Sequence, residues 1–472
     1  MHPRRWIPLA SGAQMVALAG GAVTNILYAR LLSPIVIGEV AILVAIATAI
    51  VLLADSGLDL LLTRELAQQS REPSEVIGVL VGALPGLIVV WWALFYGGSI
   101  GLGRIWSSLE VTLSHALLVL EFALAFSIFQ VTLTLCQGLG LFGRRSASVA
   151  ANGTVTALLT ASALQISASL SSAIQATVIA YVGVAVIALY PILIRWRFQM
   201  PRVSQIVAMV RAARPLWINS AIYFLGSAAD VLLAAIVLPL AAVGYYRIFK
   251  AIATVFLAPF TTLLPLFYSR FASLTRSGRA RFYNKVRIGS VGAITAGLMV
   301  SAPFFPWVIG ETFGERFATR PAVLLAMIVA GGLAFNHNLL GYVATASGIF
   351  RIPLIINSAV TIVFLSAAPL LGRQVGLGGF VAGSVLANGV GLLVAARLTQ
   401  TLVVARWDAL VLWPIGAFAW TLGLALWLWG LPIAVGIPLG VGAAIIWSVA
   451  VGAAVMGRQV LAGITGPPKA AR

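Results

Sequence analysis

Near the middle of the chain three ionisable residues interrupt two oily runs: Asp230, Arg247 and Lys250, within residues 227–250. A charge held at hydrocarbon depth costs about 2.5–3.5 kcal/mol on insertion scales, so such groups face a bundle interior or a wet cavity and mark transport paths. The two runs meet at a turn read as Pro239 to Gly244, with Asp230 nine residues before it and Lys250 six after it. At about 1.5 Å per residue these positions lie roughly 13 Å and 9 Å from the turn, at comparable depth on antiparallel helices. Arg247 and Lys250 are three apart and share a helix face. Two readings stay open: an ion pair that neutralises itself, or the lining of a polar cavity. One acid cannot neutralise two bases, which favours the cavity.

Other polar residues stand inside apolar runs. Glu121 is a mid-run carboxyl, with Gln130 on the same run. Such a group is costly unless paired or protonated, so its chemistry is either proton coupling or a bond to a neighbouring helix. Asp230 is the rival coupling residue. Asp55 and Asp59 flank Gly57 at the end of the second run, as helix-end residues or as a candidate inner gate. Asn336, His337 and Asn338 form the most polar triplet within any run. His337 has the side chain that titrates near neutral pH. The triplet suits a sugar-binding site or an interhelical hydrogen-bond cluster, and at most two of its members face one cavity. Asn25, Asn152 and Asn219 are weaker cases of the same kind. Arg30 ends the first run, as a snorkelling side chain or a phosphate contact. Trp106, Trp217 and Trp307 near run ends read as an interfacial belt. No nucleotide-binding motif, metal-ligand cluster or nucleophile–base pair is visible, and the lone Cys136 allows no internal disulfide. No cofactor, metal or nucleic-acid partner is expected.

The elements that position these groups are membrane helices. Of 472 residues, 61% are hydrophobic and 9% charged, against about 25% charged in soluble domains. The expected fold class is all-α: a polytopic membrane protein with no soluble domain of any size. About fourteen runs are long enough to span, at 8–29, 40–61, 76–97, 112–135, 147–167, 173–194, 215–238, 244–267, 286–309, 321–345, 352–371, 379–396, 409–429 and 433–455. The start, His2-Pro3-Arg4-Arg5, leads into a long run without a processing site, so no cleaved signal peptide is expected.

The net charge of +18 is not a nucleic-acid footprint, because the bases sit in short loops between runs. With the amino terminus inside, 23 bases fall on the inner side and 5 on the outer. That asymmetry puts both termini in the cytoplasm. The break at 195–214 mixes apolar residues with Arg211 and Arg214 and reads as an interfacial amphipathic helix. The expected organisation is a six-helix bundle over 1–194, this linker, a second six-helix bundle over 215–397, and two extra helices with a tail over 398–472. The halves match by position: Pro34 with Gly38, and Pro239 with Gly244, with the glycines 206 residues apart. Parallel repeats of this kind are a transporter architecture.

Three motifs extend the reading: Ala29-Arg30-Leu31-Leu32-Ser33-Pro34 with Ile37-Gly38, then Leu53-Ala54-Asp55-Ser56-Gly57-Leu58 with Arg64, then Asp230 before Val243-Gly244-Tyr245-Tyr246. A loop with Gln137-Gly138-Leu139 and Arg144-Arg145 accompanies them. Together they resemble the polysaccharide and O-antigen flippases of the multidrug/oligosaccharidyl-lipid/polysaccharide exporter superfamily. Ser33 replaces that family's usual glycine, and Ile37 its usual aromatic residue. The resemblance implies two pseudo-symmetric six-helix bundles around a central cavity. It also implies an inner-membrane carrier that moves an undecaprenyl-pyrophosphate-linked oligosaccharide to the outer leaflet by alternating access. A polysaccharide polymerase and other assembly proteins are candidate partners, beside the membrane lipids. The substrate's phosphates and sugars would meet Arg30, Arg247, Lys250, Asn336 and His337. Alternatives are a cation-coupled drug or metabolite antiporter, a flippase for a peptidoglycan precursor, and a membrane-embedded polymerase. The polymerase lacks support, because the outer segments near 98–111 and 310–320 are short.

Overall fold

In lipid every backbone N–H and C=O must be satisfied within the span, which leaves helices as the solution for these apolar runs. The computed structural model describes residues 6–55, 58–67, 72–102, 112–196, 229–261, 263–349 and 351–403, with a few isolated positions besides, and no strand occurs among them. The helices are α1 (Trp6–Leu31), α2 (Pro34–Asp55), α3 (Leu58–Ala67) and α4 (Pro73–Gly78), which runs through a π turn at Val79–Ala83 into α5 (Leu84–Leu102). Then come α6 (Leu113–Gly138), α7 (Phe142–Ile166), α8 (Leu170–Arg195), α9 (Asp230–Val237) and α10 (Leu240–Thr261). They are followed by α11 (Leu264–Ser273), α12 (Arg276–Ser301), α13 (Phe305–Phe313), α14 (Glu315–Ala318), α15 (Pro321–Ala346), α16 (Arg351–Val375) and α17 (Leu377–Val403).

Among the described residues ten helical segments are long and apolar enough to cross a membrane. The protein is a multi-span, all-α membrane protein. Of the fourteen runs, 409–429, 433–455 and most of 215–238 lie outside the described residues, as do Trp106, Trp217, Asn219 and most of the 195–214 linker.

Two boundaries correct the sequence reading, and proline explains both. The run placed at 40–61 is a helix that starts at Pro34, because proline at the first helical position has its φ preset and no N–H to satisfy. The turn placed at Pro239 to Gly244 is only Leu238 and Pro239. The N–H groups of Ala242 and Val243 already bond to the Pro239 carbonyl, so Gly244 lies inside α10.

The chain divides into two compact units, Met1–Ala258 with Pro369–Phe380, and Pro259–Ala368 with Val381–Arg472. In the first, α1 lies along α7, α6 and α7 both pack on α8, and α2 packs on α6 and α9. Two glycine pairs set the closest approaches. A Cβ on Gly20 would overlap the Gly153 carbonyl, and one on Gly153 would meet the Ala17 backbone, so α1 and α7 touch backbone to backbone, as small residues permit in lipid. A Cβ on Gly38 would overlap the Leu240 carbonyl, and one on Gly244 would overlap that of Pro34. Each of these glycines thus packs against the residue four places before the other, the reciprocal contact of a pseudo-two-fold crossing. In the second unit α15 packs against α11 and α12, and Arg279 on α12 donates to the Ala346 carbonyl at 2.9 Å and to the Ser347 hydroxyl at 2.6 Å.

Candidate functional site

Between α1, α2, α6, α7, α8 and the first half of α10 the first unit holds an open cavity of about 380 Å³. Its wall on α1 runs from Gln14 to Tyr28, roughly 21 Å of helix at about 1.5 Å per residue. Tyr28 donates to the Ala173 carbonyl at 3.3 Å, just past the short turn that joins α7 to α8. The ends of α1 and α7 therefore coincide, and the two helices run in the same direction. Thr24 and Asn25 donate to the carbonyls of Gly20 and Gly21, four residues back. These bonds satisfy their donors inside α1 and leave their acceptor oxygens for the cavity. Tyr181 closes the α8 side, with its ring against Phe122, Phe126 and Phe129 of α6 at centroid distances of 5.3 to 5.7 Å.

Two arginines line this space, Arg145 at the start of α7 and Arg247 on α10. The Arg247 guanidinium lies over the Tyr28 ring, 5.4 Å from its centroid, within cation–π range. No carboxylate is among the described lining residues. The cavity therefore carries fixed positive charge with amide and hydroxyl groups around it, an arrangement suited to an anionic, hydroxyl-bearing guest.

One helical turn further along α10 the situation reverses. Lys250 donates to Asp230 at 2.6 Å, and Tyr246 donates to the same carboxylate oxygen at 2.5 Å. The other carboxylate oxygen accepts from the Val231 N–H at 2.8 Å. Asp230 also stands in the first turn of α9, where the helix dipole favours negative charge. Its side chain is 10% exposed and that of Lys250 38%. Tyr246 is held edge-on against Phe380, 5.4 Å between centroids. Arg247 and Lys250, expected on one face, thus serve different surroundings.

The remaining candidates are dispersed. Asp55 and Asp59 line a second cavity of about 270 Å³ with Gln130, Ser127 and Thr134, and the Asp59 N–H donates to the Asp55 carboxylate at 3.2 Å. Arg30 is exposed at the end of α1. Glu121 is also exposed and lies away from the basic cavity: α6 turns Phe122 and Phe129 inward and leaves Glu121 on its outer side. Asn336 and His337 are buried in the second unit, while Asn338 is exposed. His337 Nε2 lies 3.0 Å from Asn388 Oδ1 on α17, and Asn336 donates to the Gly332 carbonyl at 2.8 Å. Neither residue reaches the two cavities.

Comparison with known proteins follows from this geometry. A family model described as polysaccharide biosynthesis protein matches residues 6–271, more than half of the chain and every helix that lines the basic cavity. The chain belongs to this family. No curated protein sequence is similar enough to count as a match. Among solved structures, a lipid II flippase, MurJ, in an inward closed conformation superposes with a TM-score of 0.71 at 11% identity, covering 96% of this chain and 99% of that one. An inward-facing multidrug resistance MATE transporter gives 0.57 at 15% identity over 85% and 96%. A MATE protein in complex with MaL6 gives 0.53 at 14% over 85% and 97%. At such identities the likeness shows the fold, the all-helical transporter fold of these proteins.

Within this member of the family, sequence reasoning missed four cavity residues or undervalued them. Arg145 was counted with its neighbour Arg144 as a loop base. Tyr28 and Tyr181 are ordinary aromatic residues in apolar runs. Asn152 stood out only weakly. The available signal was on α7: Arg145, Asn152 and Thr156 are spaced seven and four apart, which puts them on one helix face.

Proposed function

We propose that this protein is a flippase for polysaccharide biosynthesis, moving an undecaprenyl-pyrophosphate-linked oligosaccharide from the inner to the outer leaflet by alternating access. The observation that carries this reading is the acid-free cavity holding Arg247 in the family-matched region. A diphosphate supplies the anion that a guanidinium binds with charge-assisted hydrogen bonds, and the glycan supplies hydroxyls for the amides. The family's polysaccharide role and a fold shared with a lipid II flippase support the same class. A cationic drug, the alternative cargo, would enter a cavity whose fixed charge has its own sign.

In this reading the protein transports and does not catalyse, with Arg247 as the principal phosphate contact. Two six-helix bundles, 1–194 and 215–397, move about the 195–214 linker, with 398–472 appended. Asp55 and Asp59 serve an inner gate. The protein lies in the cytoplasmic membrane with both termini inside, in keeping with its 23 inner and 5 outer bases. It works beside a polysaccharide polymerase.

The test is a deletion strain complemented with wild type or Arg247→Ala. The deletion accumulates complete lipid-linked units at the inner leaflet. Wild type clears them, and the variant does not. Export of single, unpolymerised units by the deletion strain would identify a polymerase instead and defeat the proposal.

A further inference from the structure

We propose that the second cavity of the first unit binds a hydrated divalent metal cation of the Mg²⁺ class. Asp55 at the end of α2 and Asp59 in the first turn of α3 share this space of about 270 Å³ with Ser127, Gln130 and Thr134 of α6. The three α6 residues are spaced three and four apart, which puts them on one helix face. Ser127 and Thr134 are only 2% and 9% exposed. Neither hydroxyl has a hydrogen-bond partner among the described residues, and neither is sealed off by its neighbours, so what remains exposed opens on the cavity. Buried polar groups are nearly always partnered. Two bare hydroxyls beside two acids mark a place that a guest completes. Leu80 of the π turn borders the same space, and π turns recur at functional sites.

Charge gives the sign of the guest. Two carboxylates four positions apart repel each other, and the described lining holds no base. The helix ends bring no net relief. Asp55 stands in the last turn of α2 and accepts the Asp59 N–H at the start of α3, so a partly negative helix end adjoins a partly positive one. Both acids have further contacts, and capping α3 accounts for Asp55. Capping does not account for Asp59 facing the open hydroxyls of a different helix.

Donor chemistry and room narrow the choice. Every polar group facing the space offers oxygen, and carboxylate, carbonyl and water suit hard cations. Thr48 donates to the Val44 carbonyl at 2.7 Å, which leaves its oxygen as a further acceptor. A monovalent ion offsets one of the two carboxylates, whereas a divalent ion offsets both. Ca²⁺ requires six to eight converging oxygens, while Mg²⁺ is held by one or two carboxylates and keeps several of its waters. The cavity has room for those waters, at about 30 Å³ each. Metal-bound waters only donate, so they suit the Gln130 amide oxygen and the Ser127 and Thr134 hydroxyls as acceptors. An ion held this way ties the end of α2 and the start of α3 to α6. It does so at the two residues assigned above to an inner gate, whichever cargo the basic cavity takes.

The experiment uses the purified full-length protein in nanodiscs of uncharged phosphatidylcholine. The probe is Mn²⁺, which shares the preference of Mg²⁺ for oxygen octahedra and is counted by electron paramagnetic resonance. Wild type should bind Mn²⁺ saturably, with displacement by excess Mg²⁺ and none by Na⁺ at matched ionic strength. Asp59→Asn should weaken binding about tenfold or more, through the loss of a charged ligand. Ser127→Ala should weaken it about threefold, the worth of one hydrogen bond to a bound water. Glu121→Gln, which removes an acid outside both cavities, should change nothing. Melting midpoints in metal-free buffer report whether each variant is folded, and Mg²⁺ should raise the midpoint of wild type and not that of Asp59→Asn. Absence of saturable Mn²⁺ binding, or binding as tight in Asp59→Asn as in wild type, overturns the site. Displacement by Na⁺ overturns its divalent character. Loss in Asp59→Asn with full binding in Ser127→Ala places the ion on the acids alone, outside the cavity, and overturns the site as well.

Discussion

Arg247 and Lys250 stand one turn apart on α10, and their surroundings are opposites. Lys250 meets a carboxylate that is also bonded to Tyr246 and to the Val231 N–H. Arg247 faces a cavity with a second arginine and no carboxylate among its described lining. A charge within the membrane has two ways to persist: it is neutralised by the protein, or it faces water and whatever the water admits. The first builds scaffold, because the pair fixes α9 to α10. The second builds a receptor. Three residues of one helix thus separate a structural charge from a receptive one, and neither charge count nor depth in the sequence distinguishes them.

The sharpest way to break this comparison is to remove the receptive charge. Arg247→Ala should reduce export of the lipid-linked unit about ten- to hundredfold, the loss of one hydrogen-bonded charge contact of roughly 1.5–3 kcal/mol, while its thermal midpoint in detergent stays near wild type. Quantifying inner-leaflet lipid-linked units alongside detergent melting checks both halves. A variant that exports normally, or that simply unfolds, would place Arg247 in the scaffold with Lys250.

The converse change removes the acid from the scaffold. Asp230→Ala takes the shared acceptor from Lys250 and from the buried Tyr246 hydroxyl, at about 1–3 kcal/mol for a buried donor left bare. Melting should fall clearly. Adding Lys250→Met should recover part of the loss, since contacting residues couple by about 0.5–3 kcal/mol. Strictly additive losses in the double variant would deny that the two side chains act as a pair.

How much of this contrast was readable beforehand follows from the same residues. Hydropathy announced the helical membrane class, because run length and lipid chemistry leave little choice. The Asp230–Lys250 geometry was readable too, since both positions count outward from one proline turn. The turn itself was misplaced, because Pro239 followed by Gly244 looks like a loop in letters, whereas proline starts helices well and the glycine is needed for the crossing with Gly38. A polar cavity at Arg247 was expected, but its make-up was not readable. Its walls come from α1, α2, α6, α7, α8 and α10, and a single sequence does not say which faces meet. Arg145 illustrates the loss: a base at a helix start obeys the topology rule whether or not it also lines a cavity.

A smaller effect should follow at the seam that brings α10 to α2. Gly244→Ala sets a Cβ against the Pro34 carbonyl, and overpacking of this kind costs about 1–3 kcal/mol where the backbone cannot yield. Gly38→Ala presses on the same crossing from the other side, against Leu240. Each should lower the melting midpoint, and the double variant should lose less than the sum, because the first spreading of the helices makes room for the second methyl. Full additivity would mean that the two glycines relieve separate contacts, and the reciprocal crossing would be wrong.

The smallest effect is expected at Glu121, which completes the contrast from outside it. Glu121 shares α6 with Phe122 and Phe129, the residues that support Tyr181 and line the cavity, yet its own side chain is exposed. The side chain is absent from the described linings of both cavities. Glu121→Gln should therefore leave export within about twofold of wild type, inside the roughly ±0.5 kcal/mol typical of surface substitutions. Its dependence on an imposed proton gradient should be unchanged. If export in this variant became insensitive to the gradient while remaining folded, the exposed face of α6 would be part of the transport path. The division between a receptive interior and an inert exterior would then have to be redrawn.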